Sequence, residues 1–299
     1  MKQGRSLKEA KAERAAKKRR ARRRRRVIVL LVELFVLFTL LGVGYVMSKY
    51  GKFQLNMFGD GDIVKNEGVE KKGYTTIALF GGDSREGELE AGTHADTIMI
   101  VSIDNETKEV KLVSVYRDLI VKRPDGKLGK ANSSYFLGGP KQAINMLNQN
   151  FDLDIEDYVT VDFTAMADVV DKLGGIEIDV TDAEAQEMNN YIGETADVTG
   201  KKAKRVKGGL QTLDGVQAVT YSRIRKNVGG DYARTERQRI VIQKLAEKVK
   251  DTDLSTINDL IDTVFSQIST SFSLKELISL ATGVFQYELG ESKGFAFEH

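Results

Sequence analysis

Beyond residue 26 the chain carries nine arginines, at 85, 117, 123, 205, 223, 225, 234, 237 and 239, and five of them fall between 223 and 239. A guanidinium is planar, stays charged at any relevant pH and matches phosphate oxygens in pairs. Gathered closely, such groups repel one another unless an anion sits among them. On a helix beginning near Tyr232, Arg234, Arg237 and Gln238 stand at i, i+3 and i+4 and share a face, with Arg239 directed elsewhere, toward solvent. Arg223 and Arg225 align only if their segment is extended. By itself an arginine-rich helix is usually a solvated surface, so the clamp needs a second set of groups to support it.

Asp83 and Asp96 supply that second set. Each adjoins an expected strand, and two carboxylates without His or Cys nearby form a hard-oxygen site suited to Mg2+ (or Mn2+) shared with substrate phosphates. A metal ion beside an arginine clamp is a recurrent way to stabilise charge on a transferring phosphoryl group. Other chemistries are excluded. The chain has no Cys and only two His, one of them the last residue, His299. Cysteine nucleophiles, thiolate metal sites and His-based triads therefore drop out, and no strand–GxSxG–helix pattern is present.

The elements that must position these residues follow from periodicity. Strands are expected at 74–80, 96–103, 109–115, 158–163 and 176–180, the second and third joined as a hairpin through Asp104–Lys108. Helices are expected at about 140–151, with Pro140 in the first turn, at 164–173 before Gly174-Gly175, and then at 214–222, 231–250, 254–269 and 273–286. The Gly/Lys-rich stretch 193–212 reads as a mobile loop. Mixed strands and helices over 73–299 suit one layered α/β domain.

Charge divides the chain. Residues 1–26 hold 14 Lys/Arg and two acids, leaving 31 basic and 41 acidic residues in 27–299. Between the two parts, Val27–Met47 is an apolar run long enough to cross a bilayer, interrupted only by Glu33. The basic tail before it orients the N-terminus to the cytoplasm and places the body outside the cell. Residues 48–72 are polar and Gly-rich and read as a linker. The run Arg22–Arg26 superficially suits nucleic acid, but topology and anionic lipids explain a basic block next to a span, so no nucleic acid partner is expected.

The motifs resemble the LytR–CpsA–Psr proteins of bacterial envelopes over about residues 74–250. The likeness rests on Gly82-Asp83-Ser84-Arg85, Ala95-Asp96-Thr97, Ser114-Val115-Tyr116-Arg117-Asp118, Lys130-x-Asn132-x-x-Tyr135 before Gly138-Gly139, and Gly174-Gly175-Ile176. It continues in Leu213-Asp214-Gly215, Tyr221-Ser222-Arg223-Ile224-Arg225 and Asp231-Tyr232-x-Arg234-x-x-Arg237-Gln238. The basic stub, single span and exported domain match the family's plan.

The resemblance implies a three-layer α/β/α domain with a mixed central sheet, a long apolar pocket for a polyprenyl chain and a pyrophosphate site at its mouth. Carried over, Asp83 and Asp96 would hold magnesium, and Arg117, Arg223, Arg225 and Gln238 would grip the pyrophosphate. Arg85, Lys130, Arg234 and Arg237 would add to the positive pocket. The implied reaction attaches a glycopolymer, teichoic acid or a capsular or wall polysaccharide, to a peptidoglycan hydroxyl, with prenyl phosphate as leaving group; the general base is left open, with Asp83 and Asp118 as candidates. Hydrolysis or lipid binding alone would use the same residues, and a membrane-bound transcriptional attenuator is a further alternative. Two departures stand out: His94 occupies a position where the family often has Arg, and the chain stops at Gly294–His299, where such a domain would add another strand.

Overall fold

The computed structural model describes residues 34–70, 72–82, 89–283 and 285–295. It contains two compact units, residues 1–51 and 52–299. In the first, residues 34–50 form helix α1, which exposes Phe35, Phe38, Leu40 and Leu41. Residues 27–33 of the expected span lie outside the described residues, and among those described no helix is long and apolar enough to cross a membrane.

The second unit is built on a seven-stranded mixed sheet. Its strands are β1 (Gln54–Leu55), β2 (Tyr74–Gly82), β3 (Ala95–Asp104), β4 (Glu109–Val115), β7 (Asp157–Asp162), β10 (Ile268–Thr270) and β11 (Glu288–Phe295). They lie in the order β1-β10-β7-β2-β3-β4-β11. The antiparallel pair β3–β4 is the expected hairpin, and β2 pairs antiparallel with β3 on its other side. Asp104 shapes the second turn by accepting the N–H groups of Glu106 and Thr107, each at 2.9 Å. Small ladders β5 (Ile120–Lys122) with β6 (Leu128–Lys130), and β8 (Ile176–Val180) with β9 (Gly209–Leu213), stand apart from the main sheet.

Strand alternation divides the core into layers. Ala78, Phe80, Ile98 and Ile100 turn toward helix α2 (Ala131–Phe151), where they meet Tyr135, Ile144 and Leu147. Ile77, Ile103 and Leu112 turn the other way, against Ile242 of α6 (Gly230–Lys250) and Leu277 and Leu280 of α8 (Leu274–Gly283). A third apolar cluster joins α3 (Phe163–Lys172), α4 (Asp182–Thr199) and α5 (Gly215–Arg223) to β8 and β9. The sequence 254–269 divides into α7 (Leu254–Val264), a 3-10 turn and β10.

Helix α2 begins at Ala131, ahead of the expected start at Pro140, and further stretches depart from the sequence reading. Residues 193–212 are not one loop: α4 runs to Thr199, and β9 pairs with β8 from Gly209. Thr181 and Glu184 open α4 with a reciprocal capping box. Residues 54–55, in the stretch read as linker, pair with β10 at the edge of the sheet. Glu288–Phe295 pairs in parallel with β4, although the sequence ELGESKGF has no β-branched residue to mark a strand. The open edge of β4 supplies the pairing, and at the bulge after Leu289 a Cβ on Gly290 would lie 2.3 Å from Glu109 Oε1.

Candidate functional site

Parallel neighbours β2 and β7 end side by side, with Gly82 opposite Asp162, and β3 begins at the same end of the sheet. The carboxyl ends of adjacent parallel strands are where α/β sheets open a crevice for ligands. Asp96 stands at the start of β3, Arg117 two residues beyond β4, and Phe163 directly after β7. Asp162 caps α3 by accepting the Ala165 N–H at 2.7 Å.

Helices α5 and α6 complete the crevice. Asp214 and Gln217 form the capping box that opens α5, and a Cβ on Gly215 would fall 2.2 Å from the Ala167 carbonyl oxygen, so only glycine allows the close approach of α5 to α3. α5 stops at Arg223, Ile224 is extended, and the chain re-enters helix after Gly229, which holds φ +91°. Arg223, Ile224, Arg225, Asp231, Arg234 and Gln238 thereby line one cleft of about 440 Å3, together with Asp96, Phe163 and the α4 residues Tyr191, Glu194 and Thr195.

The arginines in this cleft face carboxylates. Arg117 Nη1 donates to Asp96 Oδ1 at 2.6 Å, and its Nε lies 3.5 Å from Asp118 Oδ2. Arg234 Nη2 and Arg225 Nη1 lie 3.2 and 3.6 Å from Asp231 Oδ1. Arg223 Nη2 reaches Glu194 Oε1 at 3.2 Å while its guanidinium rests 4.4 Å from the Phe163 ring centroid. Burial works against the charge of Arg117, but Asp96, and then Asp118 and Asp231, outweigh it and hold its pKa above the ordinary arginine value. Arg234 is the opposite case: burial first, and the neighbouring Arg117 charge second, push its pKa down.

That contrast marks the chemistry. Arg234 is only 4% exposed, and its Nε and the Arg117 Nε are buried without a hydrogen-bond acceptor. Buried guanidinium donors that repel one another and lack acceptors are costly unless an anion completes them. A second, apolar cavity of about 140 Å3 adjoins this cleft, sharing Phe163 and Gln238 with it and walled by Leu79, Phe80, Met166 and Val241. The arrangement suits a molecule that is anionic at one end and hydrocarbon at the other.

The expected residues are not all brought together. Asp96, Arg223, Arg225, Arg234 and Gln238 line the cleft, and Arg117 joins it through Asp96. Asp83 and Arg85 lie outside the described residues. Lys130 is exposed and pairs with Asp118 at 2.6 Å, and it does not line the cleft. Arg237 is turned away: its Nε donates to Glu184 Oε1 at 2.7 Å and its Nη1 to the Ile224 carbonyl at 3.1 Å, with Val228 O as a further acceptor. A carboxylate from α4, hidden inside a stretch with weak periodicity, captures it. Arg239 does not point to solvent; it is 9% exposed, because α6 packs where β11 joins the sheet.

The tyrosine of the 130–139 motif is structural. Burial pushes the Tyr135 phenol pKa up, and its hydroxyl donates to Leu89 O at 2.6 Å and shares a hydrogen bond with Thr160 Oγ1 at 2.9 Å. Gly92 N donates to Phe136 O at 2.8 Å, so α2 fixes the backbone between residue 89 and Asp96. His94 is exposed and stacks on Phe136 with ring centroids 4.5 Å apart. Asp231, Glu194, Thr195 and Phe163 went unassigned in the sequence reading; only the DYxR run offered a signal, for Asp231.

For a divalent ion the donor set is compatible. Asp96 and Asp231 bring carboxylate oxygens to the cleft, where Arg117 holds Asp96 Oδ1 and Arg234 and Arg225 face Asp231 Oδ1. Among the described residues no three His, Cys, Asp or Glu side chains gather into a metal cage.

The family model described as LytR_cpsA_psr matches residues 48–289. The polyisoprenyl-teichoic acid--peptidoglycan teichoic acid transferase TagV of Bacillus subtilis strain 168 is 26% identical over 227 residues, which cover 74% of this chain and 56% of TagV. The regulatory protein MsrR of Staphylococcus aureus strain Mu50 is 32% identical over 186 residues, covering 62% of this chain and 52% of MsrR. The chain thus spans only about half the length of these relatives. Among solved structures, the LytR-CPS2A-psr family protein YwtF (TagT) with bound octaprenyl pyrophosphate lipid superposes with a TM-score of 0.59 at 22% identity. That superposition covers 80% of this chain and 85% of the other and establishes the shared mixed α/β fold.

Proposed function

The chain belongs to the LytR_cpsA_psr family, and on that premise we propose that it is a membrane-anchored transferase moving a glycopolymer from a polyprenyl-pyrophosphate carrier to peptidoglycan. One observation carries the reading: Arg234, whose buried Nε lacks an acceptor, lines a polar cleft that shares Phe163 and Gln238 with an apolar cavity. A prenyl pyrophosphate fits both halves. Its diphosphate would satisfy Arg117, Arg223, Arg225 and Arg234, with Gln238 at the junction, and the first isoprene units would enter between Phe163 and Met166. TagV is named for such a transfer of teichoic acid, and a TagT structure holds octaprenyl pyrophosphate.

In this reading the acceptor hydroxyl oxygen attacks the sugar-side phosphorus. A new O–P bond forms, the bridging P–O bond breaks, prenyl phosphate leaves, and a base takes the hydroxyl proton. The arginines neutralise charge on both phosphates as it shifts toward the leaving group, and they are fixed in place before reaction. Asp118 is a poor base, because the Lys130 hydrogen bond, outweighing partial burial, and the Arg117 charge hold its carboxyl below the usual range. Asp96 and Asp83 would hold Mg2+ or Mn2+, which supplies further positive charge at the diphosphate. The exposed apolar face of α1 and the preceding residues 27–33 would anchor the domain in the membrane, with the catalytic unit on the extracytoplasmic side.

The test combines the full chain in detergent, a synthetic prenyl-pyrophosphate-linked glycan, Mg2+ and peptidoglycan oligomers. Conjugated glycan that depends on the acceptor and disappears with EDTA and with Asp96→Ala supports the transferase. Release of prenyl phosphate without acceptor would indicate a hydrolase, and tight binding without either product a lipid-binding module.

A further inference from the structure

Every cleft arginine faces a carboxylate, but the carboxylates differ in kind. Asp96 starts a core strand and Asp231 belongs to the first turn of α6, each on an element that also builds the cleft floor. Glu194 comes from α4, across the cleft. It is 53% exposed at its side chain and meets Arg223 through one oxygen, at 3.2 Å, with Thr195 Oγ1 accepting from the other terminal nitrogen at 3.3 Å. Ten residues earlier on the same helix, Glu184 holds Arg237 in a buried pair whose side chains are 14% and 6% exposed. The first contact is single and open to water; the second is enclosed.

Building on the proposed function, we propose that Glu194 occupies the place of a substrate phosphate on Arg223 in the free protein and is displaced when the prenyl-pyrophosphate donor binds. The Phe163 ring fixes the plane of the Arg223 guanidinium at the junction of the polar cleft and the apolar cavity. Its two terminal nitrogens, now directed to Glu194 and Thr195, are those a phosphate would take in paired fashion. An exposed single-contact ion pair is weak and easily exchanged for a more highly charged, better matched anion. The displaced carboxylate then opposes the bound phosphates. Glu194 therefore lowers donor affinity and favours release of prenyl phosphate by returning to Arg223. It is a positioning residue that sets occupancy of the clamp, and it takes no part in bond making.

The full chain in detergent is titrated with farnesyl pyrophosphate by calorimetry, as wild type, Glu194→Gln, Arg223→Ala and the double variant. Wild type binds, Glu194→Gln binds about fivefold more tightly, and the gain vanishes when Arg223 is already alanine. Unchanged or weaker binding by Glu194→Gln while wild type binds overturns this inference and leaves the transferase reading intact. Tightening that persists in the Arg223→Ala background overturns it as well, since general charge repulsion would then explain the gain. Failure of wild type to bind overturns the pyrophosphate reading of the cleft and this inference with it.

Discussion

Arg234 and Arg237 stand one turn apart on α6, and both are almost completely buried. Arg237 is satisfied: Glu184 and two backbone carbonyls take its donors, and it locks α4 and the 224–228 connection onto α6. Arg234 is not: its nearest counter-charge is Asp231 at 3.2 Å, its Nε lacks an acceptor, and Arg117 repels it. In the proposed reading, the same side chain serves stability in one place and binding in the other. What separates them is whether the protein itself supplies the anion.

Substitutions at the two positions should therefore diverge. Arg237→Met leaves Glu184 buried without its partner and should cost about 3–5 kcal/mol of stability in denaturant unfolding. A loss under about 1 kcal/mol would remove the distinction. Arg234→Ala should leave stability within about 1 kcal/mol of wild type, because the lost group was strained by burial and like charge. Transfer activity should fall about 100- to 1000-fold. Unfolding of this variant would show Arg234 to be structural as well.

Smaller effects sharpen the picture. Asp214→Ala removes the cap of α5, which carries Arg223, and should destabilise by about 1 kcal/mol in thermal unfolding. The pH dependence should be smallest. Burial raises the Glu184 pKa, but the Arg237 hydrogen bond and the Thr181 contacts outweigh it and hold the folded value below 4.5. The resulting stability is present above the unfolded value and fades as pH falls through the folded one. Glu184→Gln should show a flatter loss of stability between neutral pH and the acid range, and an unchanged acid limb would discount the pair.

The β3–β4 hairpin, the helix after β7 and the helices α5 and α6 were legible in the sequence because their periodicities and caps are local. Alternating apolar residues marked β3 and β4, and Asp214-Gly215 marked the start of α5. The partner of each arginine was not legible. Nothing at positions 184 or 194 distinguishes the carboxylate that buries Arg237 from the one that faces Arg223, since both roles depend on how α4 packs across α5. β11 was hidden for a similar reason: a Gly-rich polar segment becomes a strand only because β4 offers an open edge. Likewise Arg239 read as a surface residue until β11 joined the sheet beside α6.

The most direct measurement follows the phosphorus NMR signals of farnesyl pyrophosphate added to the full chain in detergent micelles, for wild type and Arg234→Ala. Both phosphorus resonances should shift and broaden with wild type and stay near their free positions with the variant. Resonances unmoved by wild type, or moved equally by Arg234→Ala, would contradict the claim that the unsatisfied arginines of this cleft await a pyrophosphate.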